Sequence, residues 1–191
     1  MARTRRLVLR KRSTDEAAQF ADSKGWSILP EQNSDPVRKS TAWSVDDNTV
    51  FQVTRDRASG EFSCFFHGPD EELLESLLAE AERALDTWPT QQLLDAVYEA
   101  ESPQQLVRAV FRLGIGAPPS HSTRFMPALA HALAHEHPMV RAAAARSTAY
   151  MEWPELLPIL EATAGNDVDP RVREEAGQVI SAYHHAGIGD V

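Results

Sequence analysis

The chain has 191 residues, a formal net charge of -9, 42% hydrophobic residues and 25% charged residues. This composition is typical of a folded protein with one or two domains and excludes an intrinsically disordered chain. The single cysteine excludes an internal disulfide, and no segment approaches the roughly 20 apolar residues that a membrane-spanning helix needs. We therefore expect a cytoplasmic protein with no membrane partner.

The charge is distributed unevenly along the chain. Residues 1–12 hold six basic groups and no acid, so the remaining residues carry 13 basic and 28 acidic groups. An acidic body repels phosphate groups, and we do not expect a nucleic-acid partner. The basic run is interpreted as a charged edge strand, although it could also touch a phosphate or an acidic partner.

Residues 1–88 are predicted to form a small α+β module. The first strand is expected over residues 5–12, and Ser13 and Glu16 then have the spacing of a capping box that starts a helix. That helix should end near Gly25. A short strand follows over residues 26–29, and the polar residues 31–40 are predicted to be a loop.

The clearest local prediction is a β-hairpin over residues 49–67. Strands over 49–54 and 61–67 flank a turn in which Gly60 can take positive φ. Cys64 falls on the apolar face, so a buried and unreactive thiol is expected. Trp43 and Phe65 are the aromatic residues left over, either for a contact surface or for packing beneath the helices.

The rest of the chain is predicted to be helical. A helix with an acidic first turn opens after Gly68 and ends near Trp88. From residue 89 onward the pattern predicts six helices in three pairs: 90–101 with 103–113, 122–135 with 138–151, and 154–164 with 170–185. Ser102 and Asp169 are predicted N-caps, each followed by a proline at the first helical position.

The second half contains an internal repeat. Pro138-Met139-Val140-Arg141 returns 32 residues later as Pro170-Arg171-Val172-Arg173. Met126-Pro127-Ala128-Leu129 likewise returns as Leu157-Pro158-Ile159-Leu160. A period in this range is typical of stacked helical hairpins that bury their apolar faces against their neighbours.

These segments resemble HEAT repeats of the short bacterial variety that also occurs in bilin-lyase-like proteins. Pro127 and Pro158 interrupt the first helices as in that family, and the Pro-x-Val-Arg segments open the second helices. The resemblance covers residues 89–186 and is weaker in the first pair, where Val107-Arg108 precedes Val140-Arg141 by 33 residues but Pro103 comes too early. It implies an all-α solenoid of about three hairpins, after an N-terminal module without a recognised family.

The resemblance also implies where a partner would bind, because the second helices of HEAT stacks line the concave side. Arg108, Arg141 and Arg173 are placed at equivalent positions, with Arg112, Arg146 and Gln178 four or five residues later. These six residues are predicted to hold an acidic strip of a protein partner. Alternatively, Arg141 and Arg173 pair with acids of an adjacent repeat.

No catalytic, metal or cofactor site is predicted. His131 and His135 have the spacing of two zinc ligands and His137 follows closely, but the glutamate of a His-Glu-x-x-His motif and a further ligand are missing. A glycine-rich phosphate loop is also missing. The sequence thus predicts a non-enzymatic scaffold or adaptor that binds protein. The alternatives are an immunity protein or inhibitor that masks a toxin or enzyme, and a bilin-lyase-like carrier of a small ligand.

Overall fold

The structure of the protein is a computed structural model that describes residues 1–30 and 39–189. The chain forms two compact units, Met1–Pro89 and Thr90–Val191. Most of the predicted loop over residues 31–40 lies outside the described residues. Its last two positions, Lys39 and Ser40, begin a strand.

The first unit contains an antiparallel sheet. Its strands are β1 (Ala2–Arg3), β2 (Leu7–Val8), β3 (Ser27–Ile28), β4 (Lys39–Ser44), β5 (Val50–Arg55) and β6 (Phe62–Gly68). Both β1 and β2 pair with β6, and the order continues from β6 through β5 and β4 to β3. The predicted hairpin is β5–β6, in which Phe51 lies opposite Phe66 and Val53 opposite Cys64.

Helices α1 (Asp15–Ser23) and α2 (Glu71–Ala84) contribute to one core with the apolar face of this sheet. Strand β4 is not among the predicted strands. Its pairing with β5 overturns the placement of Trp43 at a contact surface and confirms the alternative of core packing. Trp43 lies opposite Phe51 in the β4–β5 ladder, so it shares the core face, with ring centroids 5.6 Å apart. Trp43 is only 3% exposed and therefore packs in the core instead of forming a contact surface.

The N-terminal strand ends earlier than predicted, and its outer edge is covered near Leu9. Leu9 forms a bridge with Thr87, and the amide of Trp88 donates to the carbonyl of Val8. These bonds satisfy backbone groups that would otherwise be exposed at an edge.

The predicted capping box is also wrong. The helix N-cap is Thr14, and Ser13 Oγ accepts only from the amide of Asp15, at 3.1 Å. The carboxylate of Glu16 binds Lys11 instead of the N-cap amide. Because a charged partner lies within reach, the side chain of Glu16 does not turn back to the helix end.

The second unit is helical. It contains α3 (Thr90–Tyr98), α4 (Pro103–Ile115), α5 (Met126–Leu133), α6 (Pro138–Ser147), α7 (Leu157–Asn166) and α8 (Pro170–His185), with 3-10 turns at Thr148–Tyr150 and Pro154–Leu156. Helices pack as the pairs α3–α4, α5–α6 and α7–α8, and each second helix packs on the next, in the order α4, α6, α8. The predicted N-caps are confirmed, since Ser102 and Asp169 accept from the amides of Gln105 and Arg171. The fold class is thus as predicted.

Candidate protein-binding face

The pattern of burial shows which residues of the second helices are equivalent. Positions 106, 109, 110 and 113 of α4 are buried with the same spacing as positions 140, 143, 144 and 147 of α6. Positions 172, 176 and 179 continue this pattern in α8. Leu106 is therefore the counterpart of Val140 and Val172, as the buried residue that faces the stack.

This register corrects one prediction. The counterpart of Arg141 and Arg173 in the first repeat is Val107, and Arg108 instead corresponds to Ala142 and Glu174. The matching dipeptide Val107-Arg108 is displaced by one residue from the buried positions, so the sequence match there does not reflect the packing. Arg112, Arg146 and Gln178 are equivalent, six residues after the shared buried position.

Arg141 holds two repeats together. Its Nε and Nη2 donate to the two carboxylate oxygens of Asp167, both at 2.8 Å, and its Nη1 donates to the carbonyls of His135 and Glu136, both at 2.9 Å. The hydrogen bond from Arg141 lowers the pKa of Asp167, and the same bond raises the pKa of the guanidinium. Arg141 is thus a structural residue, as the alternative interpretation predicted.

Two further predicted residues are also engaged within the stack. Nη1 of Arg173 donates to the carbonyl of Asp167 at 2.6 Å, which ties α8 to the turn before it. Nη1 of Arg146 donates to both carboxylate oxygens of Glu175, at 3.0 and 3.1 Å, and so links α6 to α8. The side chain of Arg146 is 45% exposed, so this ion pair is a surface pair of small energy.

Three further positions are exposed or half-buried in all three second helices. Counted from the shared buried residue (Leu106, Val140 or Val172), they lie one residue before it, two residues after it and six residues after it. We call these nine residues the second-helix face. They are Gln105, Arg108 and Arg112 on α4, Met139, Ala142 and Arg146 on α6, and Arg171, Glu174 and Gln178 on α8.

The predicted site residues thus separate into two groups. Arg108, Arg112, Arg146 and Gln178 belong to the second-helix face, whereas Arg141 joins two repeats and Arg173 ties α8 to the turn before it. Asp167 was missed, although a signal existed, because Asp167-Val168-Asp169-Pro170 aligns with His135-Glu136-His137-Pro138 in the preceding repeat. An acid in a turn, followed by an N-cap acid, was visible in only one of the two repeats.

Phe65 is not a contact residue. Alternation along β6 places it on the face opposite Cys64 and Phe66, as predicted, but it is only 8% exposed. The guanidinium of Arg6 lies 5.6 Å from the Phe65 ring centroid and covers the ring.

Burial raises the pKa of the Cys64 thiol to about 12, which disfavours the thiolate that a nucleophile requires.

Four of the six basic residues at the start of the chain form ion pairs within their own unit. Arg5 pairs with Glu82, Arg10 with Asp86, Lys11 with Glu16, and Arg12 with the buried Glu61. These cations are therefore poorly placed to release counterions from a nucleic acid.

The three histidines have separate roles. His131 packs on Tyr98, with ring centroids 5.3 Å apart. Nδ1 of His135 accepts from the amide of His137 at 3.0 Å, and Nδ1 of His137 accepts from the amide of Met139 at 3.2 Å. His135 and His137 thus occupy the positions that Asp167 and Asp169 occupy one repeat later. Across the described ranges, no three potential ligands are grouped to hold a metal ion.

A shallow apolar groove of about 230 Å³ lies between α5 and α7, on the side of the first helices. Its walls contain no charged residue, and it is lined by Met126, Leu129, Ala130, Leu133, Ala134 and Ile159.

Comparison with known families agrees with this geometry. The model described as HEAT repeats matches residues 90–181. This segment is a HEAT-repeat region. The match covers the stacked hairpins and does not extend into the first unit. Searches of curated proteins and of solved structures found no match to the chain. Among the described helices, none is long and apolar enough to cross a membrane.

Proposed function

We propose that the protein is a non-enzymatic adaptor that binds another protein on the second-helix face. The observation that carries the proposal is the packing order α4, α6, α8, which places equivalent exposed positions of three helices side by side. Stacked repeats offer an extended surface of this kind, and binding is the usual use of such surfaces.

The chemistry of this face supports recognition more than catalysis. Its side chains are arginine, glutamine, methionine, alanine and one glutamate, and it has no histidine, cysteine or serine that could act as a nucleophile or base. Arginine and methionine are enriched at protein interfaces. Small-molecule and nucleic-acid partners are disfavoured in this proposal, since the side chains of the face are exposed or half-buried and the chain is acidic overall.

The proposal can be tested by photo-crosslinking in the native host. A photoreactive amino acid is placed at Gln105 or Gln178 of the second-helix face, or at Glu161 of α7 as an exposed control on a first helix. We expect discrete higher-mass adducts with a protein from the two face positions and none from Glu161. Adducts that form equally from all three positions, or from Glu161 alone, would contradict the proposal.

The same experiment addresses the alternative of an immunity or inhibitor function. That alternative rests on the net charge of -9, which suits the masking of a basic toxin or enzyme. It predicts that the crosslinked partner is strongly basic. A bilin-lyase-like carrier instead predicts a small ligand of defined mass on the purified protein.

A further inference from the structure

The charge of the second-helix face changes along the stack. On this face, α4 and α6 contribute Arg108, Arg112 and Arg146 and no acid, whereas α8 contributes Arg171 and Glu174. An arginine-bearing region of this kind is unexpected in a chain with a net charge of -9. Opposite charge on a docking segment would be attracted to this end of the face.

The position two residues after the shared buried residue shows this change directly. It is Arg108 in the first repeat, Ala142 in the second and Glu174 in the third, so it passes from positive through neutral to negative. Arg108 is exposed and forms no ion pair with the part of the chain that the structure describes. A carboxylate brought by a partner would therefore meet a cation at α4 and an anion at α8.

The structure also contains an example of carboxylate binding on this face. On α6, Arg146 holds both oxygens of Glu175, and this pair remains 45% exposed on the arginine side. An exposed pair of this kind contributes little to folding and can exchange partners. The position of Glu175 in the preceding repeat is Ala143, a side chain without a carboxylate.

We propose that the α4–α6 part of the second-helix face binds an acidic segment of the protein partner, with Arg108 as its main anchor. This inference rests on the proposed function and specifies the chemistry of the partner. A protein segment is favoured over nucleic acid, because four of the six basic residues in the run at the start of the chain are paired with acids of the first unit. The neutral Met139 and Ala142 beside the arginines also suit a segment with apolar side chains.

The test measures binding of three fluorescein-labelled probes to the full chain at low salt: a polyglutamate peptide, a polylysine peptide and an oligothymidine. The variants are Arg108→Gln and, as a matched control, Arg83→Gln, because both arginines are exposed on helices and Arg83 lies on α2, outside the second-helix face. Circular dichroism establishes that each variant is folded. We expect polyglutamate to bind, Arg108→Gln to weaken this binding about threefold to fivefold, and Arg83→Gln to change it less than twofold.

Several outcomes would overturn the inference. They are stronger binding of polylysine than of polyglutamate, an equal effect of the two variants, and binding of oligothymidine that depends on Arg108 and falls steeply with salt. If crosslinks form at Gln105 and Gln178 but polyglutamate binding does not depend on Arg108, the adaptor function stands and only the acidic partner is wrong. If polyglutamate binding depends on Arg108 but no crosslinks form, the anion preference stands and the adaptor function is wrong.

Discussion

The ion pair between Arg141 and Asp167 should contribute more to the free energy of unfolding than any other ion pair described in the helical stack. The two side chains are only 12% and 9% exposed, so water screens their interaction weakly. Replacement Arg141→Ala removes both carboxylate bonds and the two bonds to the turn carbonyls, and leaves the charge of Asp167 partly buried. Since breaking a buried pair typically costs 3–5 kcal/mol, we expect a loss of about 3 kcal/mol in the free energy of unfolding.

This loss can be measured by urea denaturation of the full chain followed by circular dichroism. Arg141→Lys keeps the charge but cannot donate two parallel bonds, so it should lose about half as much. Arg171→Ala is the control, because Arg171 is exposed, and it should change the free energy of unfolding by less than about 0.5 kcal/mol. Amide hydrogen exchange should show the effect of Arg141→Ala first in α6 and α8. A loss no larger than that of the control would refute the reasoning.

Three other predictions follow from the stack. Because Arg141 lowers the pKa of Asp167, the Asp167 carboxylate stabilises the fold above its unfolded pKa of about 3.9, and this contribution should be lost as pH falls through the lower folded pKa. Urea denaturation at a series of pH values from neutral to acidic should therefore show a free energy of unfolding that falls less steeply for Asp167→Asn than for the unchanged protein. A Cβ on Gly114 would lie 2.5 Å from the carbonyl oxygen of Ser147, so Gly114→Ala should lower the free energy of unfolding by about 1–3 kcal/mol. A Cβ on Gly177 would have nothing within 4 Å, so Gly177→Ala should raise the free energy of unfolding by about 0.5–1 kcal/mol in the same denaturation assay. His137→Asp should raise Tm, with a gain of about 0.5–1 kcal/mol, because aspartate is a better N-cap than an imidazole; an unchanged or lower Tm would contradict this.

The sequence predicted the features that depend on regular spacing. The β5–β6 hairpin and the caps at Ser102 and Asp169 were found, because alternation and capping act over a few residues. Strand β4 was missed, since Lys39-Ser40-Thr41-Ala42-Trp43-Ser44 contains one large apolar residue and follows a polar segment. Its position depends on pairing with β5. The two interpretations of Trp43 therefore stayed open, and the covering of Phe65 by Arg6 also depends on residues that are distant in sequence.

The error at Arg108 has a different cause, and it bears on function. Residue identity suggested that Val107-Arg108 was a third copy of Val140-Arg141, but burial shows that Leu106 takes the place of Val140. At the junction of the first and second repeats both members of the structural ion pair are replaced, since Val107 stands for Arg141 and His135 stands for Asp167. The first junction therefore lacks the pair that joins the second and third repeats. Arg108 lies one position further along α4, where a side chain faces outward. An arginine that has no structural role in the stack remains available to a partner, and this makes Arg108 a better candidate for recognition than the two arginines that share its motif.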